Sequence, residues 1–392
     1  MDPKQFQSLR AGRPEKQTED CWAFIPTPLP PSDPSIQMDS EIARLLAEAE
    51  RALGRLDGLT EIIPDPDFFV YLYVRKEALL SSQIEGTQCS LEDILSPPDV
   101  KMHSEFSHDV EEVSNYVSAM NIGLKNLATL PVSTRLLKDM HGILMTGVRG
   151  ATKSPGEFRR SQNWIGSPGA TRSTASFVPP PPHEVDQAMS DLEKYIHGDD
   201  GLPHLVRASL VHAQFETIHP FLDGNGRLGR LLITFLLCDW KVLKKPLLYL
   251  SYFFKANRTE YYKRLTEIRT KGAWEPWIKF FLGGVSETAY IASQAALEIY
   301  QLHQRDKASL KKSGAPAATL EVFDVLCRFP VTTIPNLQEL IKGSNQNTLG
   351  RAMKFLEDKG ILRRLSERKR NREFVYVEYL NLLTRDTAPG PG

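Results

Sequence analysis

Between Arg230 and Asp239 the chain runs Leu-Leu-Ile-Thr-Phe-Leu-Leu-Cys without a single charge. A bilayer span needs roughly 20 such residues, so this shorter run predicts a helix buried on all sides within a folded body. Such a helix must be enclosed by other elements, and the surrounding pattern is helical. Ile42 to Leu56 puts Leu45, Leu46, Ala49, Leu53 and Leu56 on one stripe, with Gly58 suited to its end. Asp65 to Ile84 reads as a second helix, with Phe68, Tyr71, Leu72, Leu79 and Leu80 inward and Gly86 as its stop. Further helices are expected at His108–Leu127, Ser133–Met145, His183–His197, Leu202–Thr217 and Trp274–Lys312. The predicted fold class is therefore mostly α.

The 392 residues suffice for two or three domains, and 41% apolar with 24% charged residues is an ordinary globular balance. Lys and Arg together number 48, as do Asp and Glu, so no global field steers the molecule to nucleic acid or membrane. The opening segment MDPKQFQSLRAGRPEKQTED has no apolar signal core, and four scattered cysteines form no CxxC pair. A soluble, cytoplasmic chain with reduced thiols and no membrane contact is the expectation.

Several stretches depart from the helical habit. Phe24 to Pro34 (FIPTPLPPSDP) reads as an extended arm over the surface, within an N-terminal region of residues 1–60 that ends in the first helix. Residues 147–182 hold Gly150, Gly156, Gly166, Gly169 and the run Pro179–Pro182, and predict a β-hairpin flap with extended pieces at Phe158–Ile165 and Ser176–Val178. Lys311 to Thr319 reads as a linker. Beyond it, helical patterns at Leu320–Phe329, Leu337–Lys342 and Asn347–Lys359 precede extended pieces at Ile361–Leu365 and Phe374–Tyr379, which describes a winged-helix module over residues 313–385. Residues 386–392 read as a disordered tail.

The chemistry concentrates in His219-Pro-Phe-Leu-Asp-Gly-Asn-Gly-Arg-Leu-Gly-Arg230. One helix ends near Thr217 and the apolar helix starts near Gly226, so Gly224 and Gly226 sit in a tight turn at a helix N-terminus. Backbone N–H groups there favour an anion. Arg227 and Arg230, three apart, can each clamp a phosphate oxygen. Asp223 is a hard oxygen ligand of the kind that holds Mg²⁺, and His219 is a base suited to accept a hydroxyl proton. Together they predict phosphoryl or nucleotidyl transfer. No GxxxxGK[ST] loop is present, and no GxGxxG follows a strand.

HPFLDGNGRLGR matches the Fic-family signature HxFx[DE]GNGRxxR at every fixed position, and PGEFRRSQNWIG and NRTEYYKRL on either side are also similar to Fic proteins. The resemblance covers about residues 61–300, inside a catalytic region of residues 61–312 with the catalytic loop at 219–230. It implies a Fic helical core and a protein adenylyltransferase that moves AMP from ATP to a Ser, Thr or Tyr hydroxyl. His219 would be the general base, Phe221 the anchor of the loop and Asp223 the Mg²⁺ ligand. Gly224, Asn225, Gly226, Arg227, Leu228, Gly229 and Arg230 would bind the nucleotide, with Arg230 on the γ-phosphate. Asn163, Trp164, Ile165 and Gly166 would lie along nucleotide and target, and Tyr261 and Tyr262 would line the nucleoside pocket. Ser81-Ser-Gln-Ile-Glu85-Gly resembles the family's inhibitory pattern [ST]xxxE[GN], in a helix at about 65–86. Glu85 would there pair with Arg230 and take the place the γ-phosphate needs.

The resemblance implies ATP and Mg²⁺ as ligands and a target protein as partner, and a homodimer suits the self-inhibited class. Removal of AMP, or transfer of another nucleotide or phosphate group, would use the same motif. A reading of a different class is a nucleotide-sensing DNA-binding regulator. Its contact would be the basic wing Arg363, Arg364, Arg368, Lys369, Arg370 and Arg372. Charged hairpin turns are ordinarily solvated and winged helices also bind proteins, so DNA and protein both stand as partners for this module.

Overall fold

The computed structural model describes residues 2–18, 21–62, 66–96, 106–166, 169–365, 372–385 and 387. The first helices are α1 (Ser40–Ile62), α2 (Pro66–Ile84), α3 (Leu91–Leu95), α4 (Ser107–Asn126) and α5 (Thr134–Leu144). They are followed by α6 (Pro182–His197), α7 (His204–Ile218), α8 (Asn225–Asp239), α9 (Ser251–Ala256), α10 (Arg258–Lys271) and α11 (Trp274–Lys312). The two central helices, α7 and α8, pack on each other and are buried nearly all round. A helix with no polar face has to lie at the centre of its domain, as the run after Arg230 required.

The shell around this pair is pinned by polar contacts as well as apolar ones. Trp277 Nε1 of α11 donates to the Ser209 carbonyl of α7 at 2.9 Å, and Tyr73 OH of α2 donates to the Ala292 carbonyl of α11 at 2.7 Å. The stripe of α1 lies along α11, with Ala49, Leu53 and Leu56 buried and Leu45 and Leu46 half-buried. In α2, Leu72, Leu79 and Leu80 are buried and Tyr71 is half-buried, while the Phe68 side chain lies outside the described residues. Among the described residues no helix is long and apolar enough to cross a membrane.

The N-terminal arm differs from expectation. Gly12–Thr18 (β1) and Cys21–Pro26 (β2) form an antiparallel hairpin, and Ala23 and Phe24 are fully buried. Phe24 N donates to the Val178 carbonyl at 2.9 Å, so β2 is tied to the end of the flap. Polarity and proline content suggested a surface arm, but three apolar residues in a row, Ala23-Phe24-Ile25, supply enough burial to hold it inside. The flap also differs. Among the described residues its ladder is one antiparallel bridge, Ile165 to Phe177, because its glycines and prolines limit pairing and its polar side chains bond to the catalytic loop instead.

After a break of four residues, shorter than the nine-residue linker expected, the chain forms α12 (Ala317–Leu326), β3 (Val331–Thr333), α13 (Ile334–Leu340), α14 (Gln346–Asp358), β4 (Leu362–Arg364) and β5 (Glu373–Tyr376). The strands make an antiparallel sheet in the order β3-β5-β4. The final extended piece was expected to run to Tyr379. It stops at Tyr376 and becomes α15 (Val377–Thr384), which buries Tyr379, Leu380 and Leu383 at helical spacing. Arg363, Arg364 and Arg372 are exposed, and Arg364 is paired with Glu357 at 2.7 Å. Arg368, Lys369 and Arg370 lie outside the described residues.

Candidate active site

The link between α7 and α8 begins with an unusual backbone. His219 caps α7 in the left-handed region, φ 49° and ψ 61°, where a side chain other than glycine is disfavoured. Such a residue costs about 1–3 kcal/mol and persists only where its surroundings over-determine it. They do here. His219 N donates to the Phe215 carbonyl at 2.9 Å, and the His219 carbonyl accepts from Arg159 Nε at 2.9 Å and Asn163 Nδ2 at 3.3 Å. Arg159 also donates through its backbone N to the Pro220 carbonyl at 2.9 Å.

Phe221, fully buried, anchors the middle of the loop by stacking on His141 with ring centroids 3.8 Å apart. His141 lies on α5 and is itself fully buried. Its Nδ1 accepts from Gly156 N at 2.8 Å, so in the neutral ring Nε2 carries the hydrogen that reaches the Asp223 carbonyl at 3.0 Å. Burial pushes this imidazole down to about 4, which keeps it neutral. His141→Ala removes two hydrogen bonds and a ring stack from a sealed position. We expect it to lower stability by about 2–4 kcal/mol, read as a drop in the denaturant midpoint at unchanged slope.

The side chain of Asn225 closes the loop on itself. Its Nδ2 donates to the Phe221 carbonyl at 2.8 Å and its Oδ1 accepts from Phe221 N at 2.9 Å. Gly224 is the N-cap of α8 at φ 74°, and no side chain caps this helix. The first-turn N–H groups of α8 therefore face the loop at the positive end of its dipole. A carboxylate lies over them. A Cβ built on Gly226 would stand 2.2 Å from Glu85 Oε1, so only glycine admits Glu85 at this turn.

Ser81, in the last turn of α2, and Glu85, the first residue beyond it, hold the same guanidinium. Arg230 Nη2 lies 2.7 Å from Glu85 Oε1, Arg230 Nε donates to Ser81 Oγ at 2.8 Å, and Nη2 donates to the Ser81 carbonyl at 3.0 Å. The Arg230 side chain is 1% exposed and that of Glu85 34%. Partial burial pushes the Glu85 carboxyl up, but the Arg230 guanidinium more than reverses this and leaves it below its ordinary value. For His219, burial and then the charges of Arg269 and Arg159 push the ring down to about 3, so its imidazole is neutral across the physiological range. A neutral ring can accept a proton.

The structure brings together His219, Asp223, the α8 N-terminus, Arg230, Ser81 and Glu85, but several expected contacts with nucleotide differ. Tyr261 is buried with its OH donating to His212 Nε2 at 2.8 Å and its ring stacked on Phe254, so it is core and not the wall of an open pocket. Tyr262 is the exposed member of that pair, at 40%. Asn163 spends its amide on the carbonyls of His219 and Phe221, and Trp164 Nε1 donates to the Ala170 carbonyl at 2.8 Å with its ring exposed. Leu228 is fully buried in the core, and Gly229 is buried with its carbonyl bonded to His212 Nδ1 at 2.9 Å. Arg227 is 2% exposed, with Nη1 at 3.5 Å from Glu112 and Nη2 at 3.4 Å from Met145 Sδ. Its Nε and Nη1 are buried without a hydrogen-bond partner.

Residues 43–125 match the Fic/DOC family N-terminal region, and residues 131–237 match the Fic/DOC family itself. The chain therefore carries a Fic/DOC domain preceded by that family's N-terminal region. Among curated relatives, it is 27% identical over 227 residues to protein adenylyltransferase Fic of Culex quinquefasciatus, which is 55% of this chain and 41% of that one. It is 31% identical over 146 residues to protein adenylyltransferase Fic of Aedes aegypti, 37% of this chain and 26% of that one. These matches therefore span less than half of each relative. A Fic family protein from Desulfovibrio desulfuricans shares the fold at a TM-score of 0.56 and 20% identity, over 87% of this chain and 97% of that one.

His141, Arg159 and Glu216 were not identified from sequence. Arg159 stands in FRR next to an apolar residue and reads as a solvated cation. His141 reads as one more polar position on an amphipathic helix. Only the contacts across 60 to 82 residues of chain reveal Arg159 and His141, whereas Glu216 lies three residues from its partner His219.

Proposed function

We propose that this Fic/DOC chain is a protein adenylyltransferase that moves AMP from ATP to a Ser, Thr or Tyr hydroxyl of a target protein or of itself, and that Glu85 holds it inactive. The observation that carries this reading is the Glu85 carboxylate on the first turn of α8, 2.7 Å from buried Arg230. An anion already sits where a helix N-terminus and a guanidinium converge, which is where a nucleotide's phosphates would bind. The relatives' names supply the class of transfer, and the residues of the loop supply its parts.

The target oxygen would give its proton to His219 Nε2 and attack the α-phosphorus, and the bond from α-phosphorus to the bridging oxygen would break with pyrophosphate leaving. Arg230 would hold the γ-phosphate, and the α8 N–H groups would receive the phosphate oxygens. Arg227 Nε and Nη1, buried without a hydrogen bond although Nη1 lies 3.5 Å from Glu112, also suit an anion that approaches through the loop. Asp223 fits Mg²⁺ by the chemistry of its oxygens: one accepts from Gly224 N at 2.7 Å, and the other lies over Gly150, where a Cβ would stand 2.9 Å from it. Among the described residues no group of three His, Cys, Asp or Glu could hold a metal by itself, which suits an ion that keeps waters and arrives with phosphates. Mg²⁺, when bound, would neutralise charge on the leaving group.

Residues 313–385 we read as a winged helix, because three helices and a β3-β5-β4 sheet alternate in that order. Its exposed Arg363 and Arg372 suit a nucleic-acid or acidic-protein partner. The test of the enzymatic reading is the intact mass of Glu85→Gly after incubation with ATP and Mg²⁺. A gain of one adenylyl group is expected, and an unchanged mass with ATP still bound would overturn it.

A further inference from the structure

Beneath the catalytic loop a carboxylate stands beside the proposed base. Glu216 lies on the last turn of α7, 6% exposed, with Oε2 3.9 Å from His219 Nδ1. Two buried polar atoms there have no hydrogen-bond partner, His219 Nδ1 and Glu216 Oε1. The neighbouring helix is shaped to admit this carboxylate. A Cβ built on Gly229 would stand 2.6 Å from Glu216 Oε1, so a side chain at that position of α8 would displace it. A buried carboxylate with an open acceptor next to a buried imidazole with an open ring nitrogen is costly unless the two serve each other.

We infer that Glu216 is a positioning residue for His219, holding the hydrogen on Nδ1 so that Nε2 is the free base, and balancing the imidazolium that forms when the target proton arrives. The proposal rests on the adenylyl-transfer reading above. The proton moves from the target hydroxyl to His219 Nε2, the Nδ1 hydrogen stays on the ring, and Glu216 remains a carboxylate throughout. The separation of 3.9 Å is a charge contact and must close by less than 1 Å to become a hydrogen bond, as catalytic contacts often do on loading. The need for a counter-charge is concrete, because burial and the cations Arg269 and Arg159 already disfavour a charged ring. The Glu85 carboxylate favours the charged ring but must leave Arg230 for the enzyme to work.

Glu216 is also placed to give this pairing a pH signature. Burial raises its carboxyl to about 7; Arg230 on α8 and Arg269 on α10 oppose the rise, and Glu85, just after α2, adds to it. Tyr261, on α10, also faces it and is neutral, since burial holds its phenol well above the ordinary value. The backbone carbonyl of Glu216 also faces the ring of His219 and favours its charged form. Only the ionised carboxylate can balance an imidazolium, so activity should rise with pH as Glu216 loses its proton. His219 stays neutral through that window and contributes no step of its own. In the Glu85→Gly background the like charge of Glu85 is gone, which sets the rise at or just below pH 7.

The test compares Glu85→Gly with Glu85→Gly/Glu216→Gln and Glu85→Gly/Glu216→Asp in self-adenylylation across pH, alongside the ¹⁵Nδ1 resonance of His219 in the wild-type chain and in Glu216→Gln alone. Glutamine should lower kcat about tenfold, equal to about 1.4 kcal/mol, with KM for ATP unchanged and the rise near pH 7 abolished. Aspartate should keep a pH-dependent rise at reduced kcat. The wild-type resonance should move as pH crosses about 7 and be flat in Glu216→Gln. A glutamine variant that keeps both the rise and kcat within twofold, with an unmoved resonance, overturns the pairing. If Glu85→Gly transfers nothing while the resonance still follows Glu216, the pairing stands and the adenylyl-transfer reading falls.

Discussion

In Glu85→Gly with His219 also changed to alanine, transfer of AMP is expected to fall by 10²- to 10⁴-fold relative to Glu85→Gly alone, the usual contribution of a positioned general base. The loss should fall on kcat. Nothing binds ATP through the His219 ring in the arrangement proposed, so the affinity for ATP should change little, which equilibrium binding measures directly. The substitution also removes a left-handed residue whose conformation is imposed through its backbone by Arg159, Asn163 and Phe215. Alanine can keep those backbone bonds, so the loop should stay closed and the loss should report chemistry. A double variant that transfers at the rate of Glu85→Gly would remove His219 from the mechanism.

Glu85→Gly alone is expected to raise self-adenylylation by on the order of 10- to 100-fold. A hydrogen bond to a charged group contributes about 1.5–3 kcal/mol, and that is the competition a γ-phosphate no longer meets at Arg230. A smaller effect opposes it, because Glu85 also favours the charged form of His219 and its loss makes the base weaker. The first effect dominates, since the contact at Arg230 is direct, at 2.7 Å. Stability should move the other way. Arg230, 1% exposed, keeps Ser81 as its one hydrogen-bond partner among the described residues in the variant, and an under-paired buried charge lowers stability. ATP should then raise the Tm of Glu85→Gly more than that of the wild type, because it restores an anion at that guanidinium.

How legible these features were depends on how local they are. His219 to Arg230 is one continuous loop, and its glycines, arginines and acid carry their roles in their spacing. Ser81 and Glu85 are one helical turn apart, so a shared face follows from helix geometry alone. The contacts of His141 and Arg159 link residues far apart in the chain, and no period or motif connects them. Tyr261 and Tyr262 show the limit of adjacency: neighbouring positions on a helix diverge by about 100°, and the sequence does not say which of two equal aromatics turns inward. Structure places Tyr261 inward, on His212. At the C-terminus, Phe374 to Tyr379 alternates like a strand, yet Tyr379, Leu380 and Leu383 repeat like a helix, and burial decided for the helix after Tyr376. In the N-terminal arm, proline content outweighed three apolar residues in the sequence reading, whereas in the fold those residues fill the core.

The central claim is that this site transfers AMP from ATP through His219 and that Glu85 restrains it. Its most direct test is parallel incubation of wild type, Glu85→Gly and Glu85→Gly/His219→Ala with α-labelled or γ-labelled ATP and Mg²⁺. Label from the α position, strong in Glu85→Gly, weak in wild type and lost in the double variant, is the predicted result. Label from the γ position, or none from any variant while ATP remains bound, would contradict it.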